Sequence, residues 1–194
     1  MPRLPIGERP LAFIDTETTG LDPSIHEIIE FAIIREDTEG FVEEWSTQIR
    51  PTHIETADPE ALRINGYNTE AWAHAPTFDL AAEFISRMLD GCVLVGHNIA
   101  FDALFLTEEF KRTDIEFWRP KHKIDTVTLV YEHLIPCGLQ GIALDKVRAF
   151  LGLSLTGSHT ALQDARDCRL IYHKLSRASR LDRLRWKVRG KLFQ

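Results

Sequence analysis

The chain has 194 residues, 44% of them hydrophobic, and a formal net charge of −6, which is enough for one domain with an apolar core. No run of 18 apolar residues is present and residues 1–7 lack the apolar core of a signal peptide, so we expect neither a membrane span nor secretion. The three cysteines are widely spaced, which argues against a disulfide framework or a zinc site and favours a cytoplasmic protein.

The first quarter of the chain predicts an antiparallel meander. Residues 1–10 are polar and contain prolines, so they are expected to form a loose arm. Turn signals at residues 18–23 and 37–40 separate three apolar segments, and short connections of this kind join antiparallel strands. The three strands are predicted at residues 11–16, 26–35 and 41–49.

Beyond residue 57 the pattern changes to helical segments that alternate with short strands. Asp58 and Pro59 predict the start of a short helix that ends at Gly66. The unbroken apolar run at residues 92–95 predicts a central parallel strand, and residues 123–125 a last strand. Further helices are predicted at residues 77–89, 100–112, 126–134 and 141–151 and from Ala161 onward. The whole pattern is that of a mixed α/β domain.

Two carboxylates lie at the end of the first predicted strand. Asp15 and Glu17 are two residues apart, so they face the same side of that strand. Neighbouring carboxylates disfavour each other's ionisation unless a cation lies between them, and Mg²⁺ and Mn²⁺ prefer such oxygen ligands. Two isolated carboxylates could equally well face water at a solvated strand end. The metal interpretation therefore depends on further carboxylates elsewhere in the chain.

Two later segments supply such carboxylates. Asp102 follows the apolar run at residues 92–95. Asp164 begins an apolar helical stripe, where a buried carboxylate is costly unless it is paired or bound to metal. The alternative for Asp164 is a favourable interaction with the helix N-terminus. Asp167 points away from this stripe and is expected to be solvated or paired with Arg166 or Lys174.

The residues just before this helix carry a histidine. Thr160 and Gln163 have capping-box spacing, so Thr160 is the predicted N-cap and His159 lies just outside the helix. Imidazole titrates near neutrality, which suits a general base for water.

In this order and spacing, Asp15, Glu17, Asp102, His159 and Asp164 resemble the three motifs of the DEDDh 3′→5′ exonucleases. That family includes the proofreading subunits and domains of bacterial DNA polymerases. The resemblance covers roughly residues 10–177 and implies a ribonuclease H-like fold, with a five-stranded mixed sheet and helices on both faces.

The resemblance also implies a chemistry. It predicts hydrolysis of phosphodiester bonds from 3′ ends, with single-stranded DNA preferred, to release nucleoside 5′-monophosphates. Two Mg²⁺ or Mn²⁺ ions are implied, held by Asp15, Glu17, Asp102 and Asp164, with Asp15 bridging both. His159 would take the proton of the attacking water. A DNA polymerase is a possible partner.

Further positions match the family's substrate contacts. The residues that would hold or stack the terminal nucleotides are Thr18, Thr19, Gly20, Leu21, Ile64, Asn65, Asn98 and Phe101. The alternative for Phe101 is that it packs in the apolar core. His97 is expected to pack or form hydrogen bonds, and Asp125 to cap the helix that follows it or to support the site.

The C-terminus is strongly basic. Residues 174–194 carry eight Lys or Arg and one Asp, a formal charge of +7 in a chain of −6. Residues 11–177 are therefore assigned to an exonuclease domain and 178–194 to a basic tail or helix. The basic residues would contact phosphates, or form a solvated helix face, or dock on the acidic body.

Two other functions fit the same fold. An RNA-trimming exonuclease would need the same metal site, because nothing in that site reads the 2′-hydroxyl. A non-catalytic nucleic-acid-binding module is the third possibility, although all five motif residues are present.

Overall fold

The first three strands form the predicted antiparallel meander. The computed structural model describes residues 4–116, 120–154 and 160–191. Strand β1 spans Leu11–Thr18, β2 Ile28–Glu36 and β3 Val42–Gln48. Strand β1 is longer than predicted because Glu17 and Thr18 still pair with β2, across a register shift between them. The Asp37 carboxylate closes the second hairpin by accepting hydrogen bonds from two backbone amides of the turn.

Two parallel strands complete the sheet on the other side of β1. Strand β4 spans Val93–Gly96 and pairs with β1, and β5, Lys123–Asp125, pairs with β4. The strand order is β3-β2-β1-β4-β5, so β1 is central. This confirms the predicted five-stranded mixed sheet, and it places the carboxyl end of β1 next to the carboxyl end of β4.

Eight α-helices lie within the described residues. They are α1 Pro59–Ile64, α2 Thr69–Trp72, α3 Phe78–Leu89, α4 Ile99–Lys111, α5 Thr126–His133, α6 Leu144–Leu151, α7 Ala161–Ser176 and α8 Arg180–Gly190. Short 3₁₀ turns occur at Ile6–Glu8, Ile54–Thr56 and Ile135–Cys137. Helix α1 begins as predicted, because the Asp58 side chain accepts a 2.8 Å hydrogen bond from the Glu60 amide. None of the described helices has the length and apolar character needed to cross a membrane.

Helices cover both faces of the sheet. On one face, Ile14 and Phe31 pack against α3 and α4. On the other face, Phe13 and Ala32 pack against the first turns of α7. Successive residues of β1 therefore enter different apolar clusters, as the alternation of a strand buried on both sides requires.

A third apolar cluster joins α5, α6, α7 and α8. Trp186 of α8 is only 6% exposed in this cluster. A Cβ at Gly190 would collide with the Cys137 carbonyl, so α8 docks in direct backbone contact with a neighbouring turn. The basic C-terminus thus includes a packed helix, and removing it would expose the apolar residues beneath it.

Candidate active site

Asp15 and Glu17 lie at the carboxyl end of the central strand. They share the face of β1 that carries Phe13 and packs against α7. Burial raises the pKa of Asp15 well above its ordinary value, and the charges of Asp102, Asp164 and Glu17 raise it further. Burial and the charge of Asp164 also raise the pKa of Glu17, to about 7. These two carboxylates therefore lie in strongly negative surroundings.

Asp164 completes a three-carboxylate cluster. It lies in the first turn of α7, which crosses over the end of β1. One carboxylate oxygen from each of Asp15, Glu17 and Asp164 lies within 4.8 Å of the other two. Carboxylate oxygens this close together suit a hard divalent cation. The residues present therefore fit the metal chemistry that the motifs predict.

Asp102 lies beside this cluster rather than within the three-carboxylate group. It is in the first turn of α4, is 4% exposed, and accepts a 2.8 Å hydrogen bond from the Thr16 hydroxyl. Burial raises the pKa of Asp102 to about 7. Its charge is the largest of the neighbouring charges that raise the pKa of Asp15, so the fold brings all four predicted carboxylates together.

Glu30 is a fifth carboxylate at the site, and the sequence interpretation missed it. It is directly opposite Glu17 in the β1–β2 register, and it accepts a 3.2 Å hydrogen bond from the first amide of α7, that of Ala161. Burial raises the pKa of Glu30. Only the register between β1 and β2 could have revealed Glu30. That register cannot be predicted from the sequence, because the connection at residues 19–27 is too long to fix it.

Arg148 is the second residue missed. It is fully buried and donates a 3.1 Å hydrogen bond from Nη1 to Asp164 Oδ1. Its Nε lies 3.0 Å from Asp167 Oδ2, so the expectation that Asp167 is solvated or paired with a sequence neighbour was wrong. The sequence could have indicated that Arg148 is buried, because it falls on the same helical face as Leu144 and Leu151.

The connection after β1 is a tightly bonded loop. Thr18 and Thr19 are buried, and their hydroxyls bond to the Gly20 carbonyl and the Glu27 amide. A side chain at Gly20 would collide with the His26 ring. Thr18, Thr19 and Gly20, three of the predicted contact residues, therefore shape this loop.

Apolar side chains are exposed near this loop. Leu21 is 79% and Ile64 48% exposed. Asn65 ties the end of α1 to the end of β1, because its amide donates a 3.0 Å hydrogen bond to the Thr18 carbonyl. The Phe101 side chain is half-buried. It packs on Phe105 in the core and remains partly accessible to solvent.

Asn98 starts helix α4 in the left-handed region, with φ of 69°. The backbone amide of Asn98 donates to Asp125 Oδ1, which also accepts from the Val127 backbone amide at 2.9 Å, so Asp125 caps α5 as expected. His97 bonds through both ring nitrogens, to the Thr126 hydroxyl and the Ile142 carbonyl, which confirms a hydrogen-bonding role.

His159 lies outside the described residues, so its predicted role as a base stays a prediction. Thr160, the next residue, is the N-cap of α7 as predicted, but its side chain does not make the predicted capping hydrogen bond. The Glu30 carboxylate instead binds the first amide of the helix.

Comparison with known proteins decides the family. The RNase_T exonuclease model matches residues 12–172, which include all five motif residues. The chain belongs to this exonuclease family. Membership confirms the resemblance to 3′→5′ exonucleases and the prediction that the protein is an enzyme of this kind.

Curated relatives of this exonuclease differ greatly in length. This chain is 31% identical to the DNA polymerase III subunit epsilon of Treponema pallidum, over 79% of the chain and 70% of that protein. It is 30% identical to the 3′-5′ exonuclease DinG of Staphylococcus saprophyticus and 32% identical to the PolC-type DNA polymerase III of Thermotoga maritima. It spans only 17% of the former and 11% of the latter.

Solved structures share the fold. An exonuclease I structure superposes with a TM-score of 0.75 at 20% identity, over 92% of this chain and 43% of that one. The zinc-bound complex of Escherichia coli exonuclease I with single-stranded DNA gives 0.74 at 21% identity, over 95% of this chain and 43% of that one. These similarities confirm the ribonuclease H-like exonuclease fold.

Proposed function

We propose that this exonuclease hydrolyses phosphodiester bonds from 3′ ends of single-stranded DNA, depends on divalent metal, and releases nucleoside 5′-monophosphates. The observation that carries the proposal is the cluster of Asp15, Glu17 and Asp164, whose carboxylate oxygens lie within 4.8 Å of one another. The raised pKa values of Asp15 and Glu17 support it, because they reflect burial together with neighbouring negative charge, and a bound cation would offset both.

Each carboxylate has a distinct role in this proposal. Asp15, on the central strand, would be shared by two Mg²⁺ or Mn²⁺ ions, and Glu17 and Asp164 would complete one of the two sites. Asp102, held by Thr16, would serve the other. When bound, the ions supply activation of water and stabilisation of the leaving 3′-oxygen.

His159 would act as the general base. An imidazole that titrates near neutrality can take the proton of the attacking water. The carboxylates would hold the reacting groups in place, while His159 moves the proton.

The substrate would be held at the loop after β1. The backbone of Thr18, Thr19 and Gly20 would receive the terminal nucleotide, and the exposed side chains of Leu21 and Ile64 would contact its base. Phe101, Asn65 and Asn98 would complete this surface. The sequence tolerance of stacking and apolar contacts suits an enzyme that removes every base in turn.

Two findings on similar proteins support the substrate and partner. Exonuclease I of E. coli, which shares the fold, is found in complex with single-stranded DNA and with a dT13 oligonucleotide. The subunit epsilon of T. pallidum belongs to DNA polymerase III, so a DNA polymerase is the proposed partner.

The proposal is tested by digesting matched single-stranded DNA and RNA that carry a label at the 5′ end. We expect a ladder that shortens from the 3′ end of the DNA in Mg²⁺ or Mn²⁺, with nucleoside 5′-monophosphate as the other product. EDTA and the Asp15→Ala variant should each abolish it. Faster shortening of RNA would assign the enzyme to RNA trimming, and turnover in EDTA would contradict the metal site.

A further inference from the structure

Arg148 is a fully buried cation that connects α6 to the first two turns of α7. Nη1 donates to Asp164 Oδ1 at 3.1 Å, and Nε lies 3.0 Å from Asp167 Oδ2. Nη2 donates to the Ser154 carbonyl at 2.9 Å. Nε donates its hydrogen bond to the same carbonyl at 3.2 Å, so Asp167 is an ion-pair contact that adds to the hydrogen bonds. All three nitrogens of the guanidinium therefore donate to an oxygen, and the group is fixed from several directions at once.

The backbone that carries Arg148 is equally fixed. Its neighbours Val147, Phe150 and Leu151 are buried in the apolar cluster shared by α6, α7 and α8. The guanidinium therefore has little freedom to follow Asp164 if that carboxylate moves. The restraint acts in the other direction, from the packed helix to the carboxylate.

Stability alone is a weak explanation for this arrangement. Burying an ion pair costs desolvation that its attraction barely repays, and apolar residues of similar volume often serve as well. The position of Arg148, on the apolar face of α6, is one where a Leu or Met would be the simpler choice. A buried cation beside a cluster of carboxylates calls for a role at that cluster.

We propose that Arg148 is a positioning residue for the metal site. By holding Oδ1 of Asp164, it fixes the rotation of that carboxylate and keeps it beside Asp15 and Glu17. Asp167 is the second anchor of the guanidinium and keeps it from tilting away. This inference rests on the proposed function, in which Asp164 is a metal ligand.

Positioning and simple electrostatics predict opposite results. A positive charge next to the cluster repels a divalent cation, so its removal should tighten metal binding if charge alone matters. If Arg148 holds Asp164 in place, its removal should weaken metal binding in spite of the lost repulsion. Outer partners of metal ligands commonly contribute about 10- to 100-fold in metal affinity.

The experiment is a calorimetric titration of the full chain with Mn²⁺. We expect Arg148→Met to raise the Kd about tenfold or more. Arg148→Lys should give an intermediate value, because an ammonium keeps the charge but cannot reach two carboxylates and a carbonyl together. Arg166→Met is the matched control, since Arg166 lies on α7 close to Asp164 but pairs with Glu44 at the surface. Its Kd should equal that of the wild type.

A kinetic readout separates positioning from general damage. At limiting Mn²⁺ the kcat of Arg148→Met on single-stranded DNA should fall while the KM for DNA stays constant, and saturating Mn²⁺ should restore most of kcat. An equal or lower Kd in a folded Arg148→Met protein would overturn the inference.

If Arg148→Met does not fold, Arg148→Lys and Asp167→Asn take its place. The second of these keeps the bond to Asp164 and removes only the second anchor, so we expect a weakening of about threefold. Unchanged affinity in both would overturn the inference. Failure of the wild-type protein itself to bind Mn²⁺ would instead contradict the proposed function, so the two failures are distinguishable.

Discussion

Strand β2 carries a glutamate near each end, and the two have opposite surroundings. Glu30 lies at the active-site end, where burial raises its pKa and the charge of Asp164 adds to the effect. Glu36 lies at the other end, where it bonds to His173 and Arg169 at 2.9 and 2.7 Å. Although burial opposes them, these two hydrogen bonds lower the pKa of Glu36.

The difference shows what each end of the sheet is built for. At the far end, the Glu36 carboxylate is compensated by the Arg169 guanidinium and also bonds to the His173 ring, so it helps to hold α7 on the sheet. At the active-site end, Asp15 and Glu17 lie buried among other carboxylates, and their charges oppose folding. Uncompensated charge of this kind is typical of functional sites.

The largest expected effect comes from removing one charge at the active-site end. Asp15→Asn should lower kcat on the order of 10⁴-fold, because several kcal/mol of metal-dependent stabilisation would be lost at about 1.4 kcal/mol per tenfold. In EDTA the same variant should melt at a higher temperature than the wild type, because a buried repulsion is relieved. Digestion assays and thermal melts measure the two effects.

Glu36→Gln is the matched control at the other end. It should keep wild-type kcat and metal affinity while losing on the order of 1–2 kcal/mol of stability at pH 7, since it breaks hydrogen bonds to charged partners. If instead Asp15→Asn were destabilised in EDTA as Glu36→Gln is, the two ends would not differ in the way described here.

The next effect separates proton transfer from metal binding. His159→Ala should lower kcat by about 10²- to 10⁴-fold, because general-base catalysis is lost. Its affinity for Mn²⁺ and for single-stranded DNA should stay close to that of the wild type. Calorimetry and single-turnover kinetics provide the measurements, and a large loss of Mn²⁺ affinity would make His159 a ligand or a structural residue.

The pH profile of His159→Ala sharpens this result. The wild-type rate should rise with pH through a group near the ordinary imidazole pKa of about 6.5, or somewhat higher beside the carboxylates. The rise should vanish in the variant. Metal-bound water can also titrate near neutrality, so only the comparison of the two profiles assigns the group.

Local patterns in the sequence were enough to predict the sheet and most helices. The β5 boundaries, the Asp58 cap and the start of α7 at Ala161 each depend on residues next to them, and all three were predicted correctly. Asp15, Glu17 and Asp164 were singled out by strand alternation and helical spacing, and Asp102 by its position after an apolar run and by the family resemblance.

What the sequence could not provide was long-range pairing. Glu30 reaches the site through a register set across a long connection, and Arg148 through the packing of α6 against α7. Asp167 was misplaced for the same reason, since its partner is distant in the chain. Side chains that compensate or repel a buried charge are chosen by the tertiary fold, and local spacing carries little information about them.

A smaller effect concerns the pH dependence of stability without metal. The pKa values of Glu17 and Asp102 rise to about 7 from ordinary values of 4.5 and 3.8. The folded state therefore binds these protons more tightly than the unfolded state, and stability falls as pH rises from about 4 towards 7. In EDTA we expect a loss on the order of 1–3 kcal/mol over this range.

Saturating Mn²⁺ should reduce or reverse this loss, because the metal binds the ionised carboxylates. The contribution of Glu36 to stability depends on pH in the opposite direction, and Glu36→Gln should remove it. The pKa of Glu36 is lowered by its partners, so its contribution is present at neutral pH and is lost as pH falls through the folded-state value. Denaturant melts in EDTA that showed no fall between pH 4 and 7 would contradict the charge repulsion assigned to the active-site end.

The smallest expected effect concerns how an acidic enzyme attracts a polyanion. The carboxylate cluster repels phosphates, whereas α8 presents exposed cations that include Arg180 and Lys187, seven residues apart on one helical face. Truncation does not test this helix cleanly, because Trp186 is part of the apolar core. The double variant Arg180→Gln/Lys187→Gln leaves that core intact.

If both cations contact phosphates, the double variant should raise the KM for single-stranded DNA and leave kcat unchanged. Each lost contact should flatten the slope of log KM against log salt concentration by about 0.7, since fewer counterions are released on binding. Lys111→Gln/Arg166→Gln is the control, because it removes the same charge from exposed side chains that pair with Glu108 and Glu44. Equal salt slopes in the two double variants would show that α8 adds only general charge, and its cations would then be free to serve a protein partner.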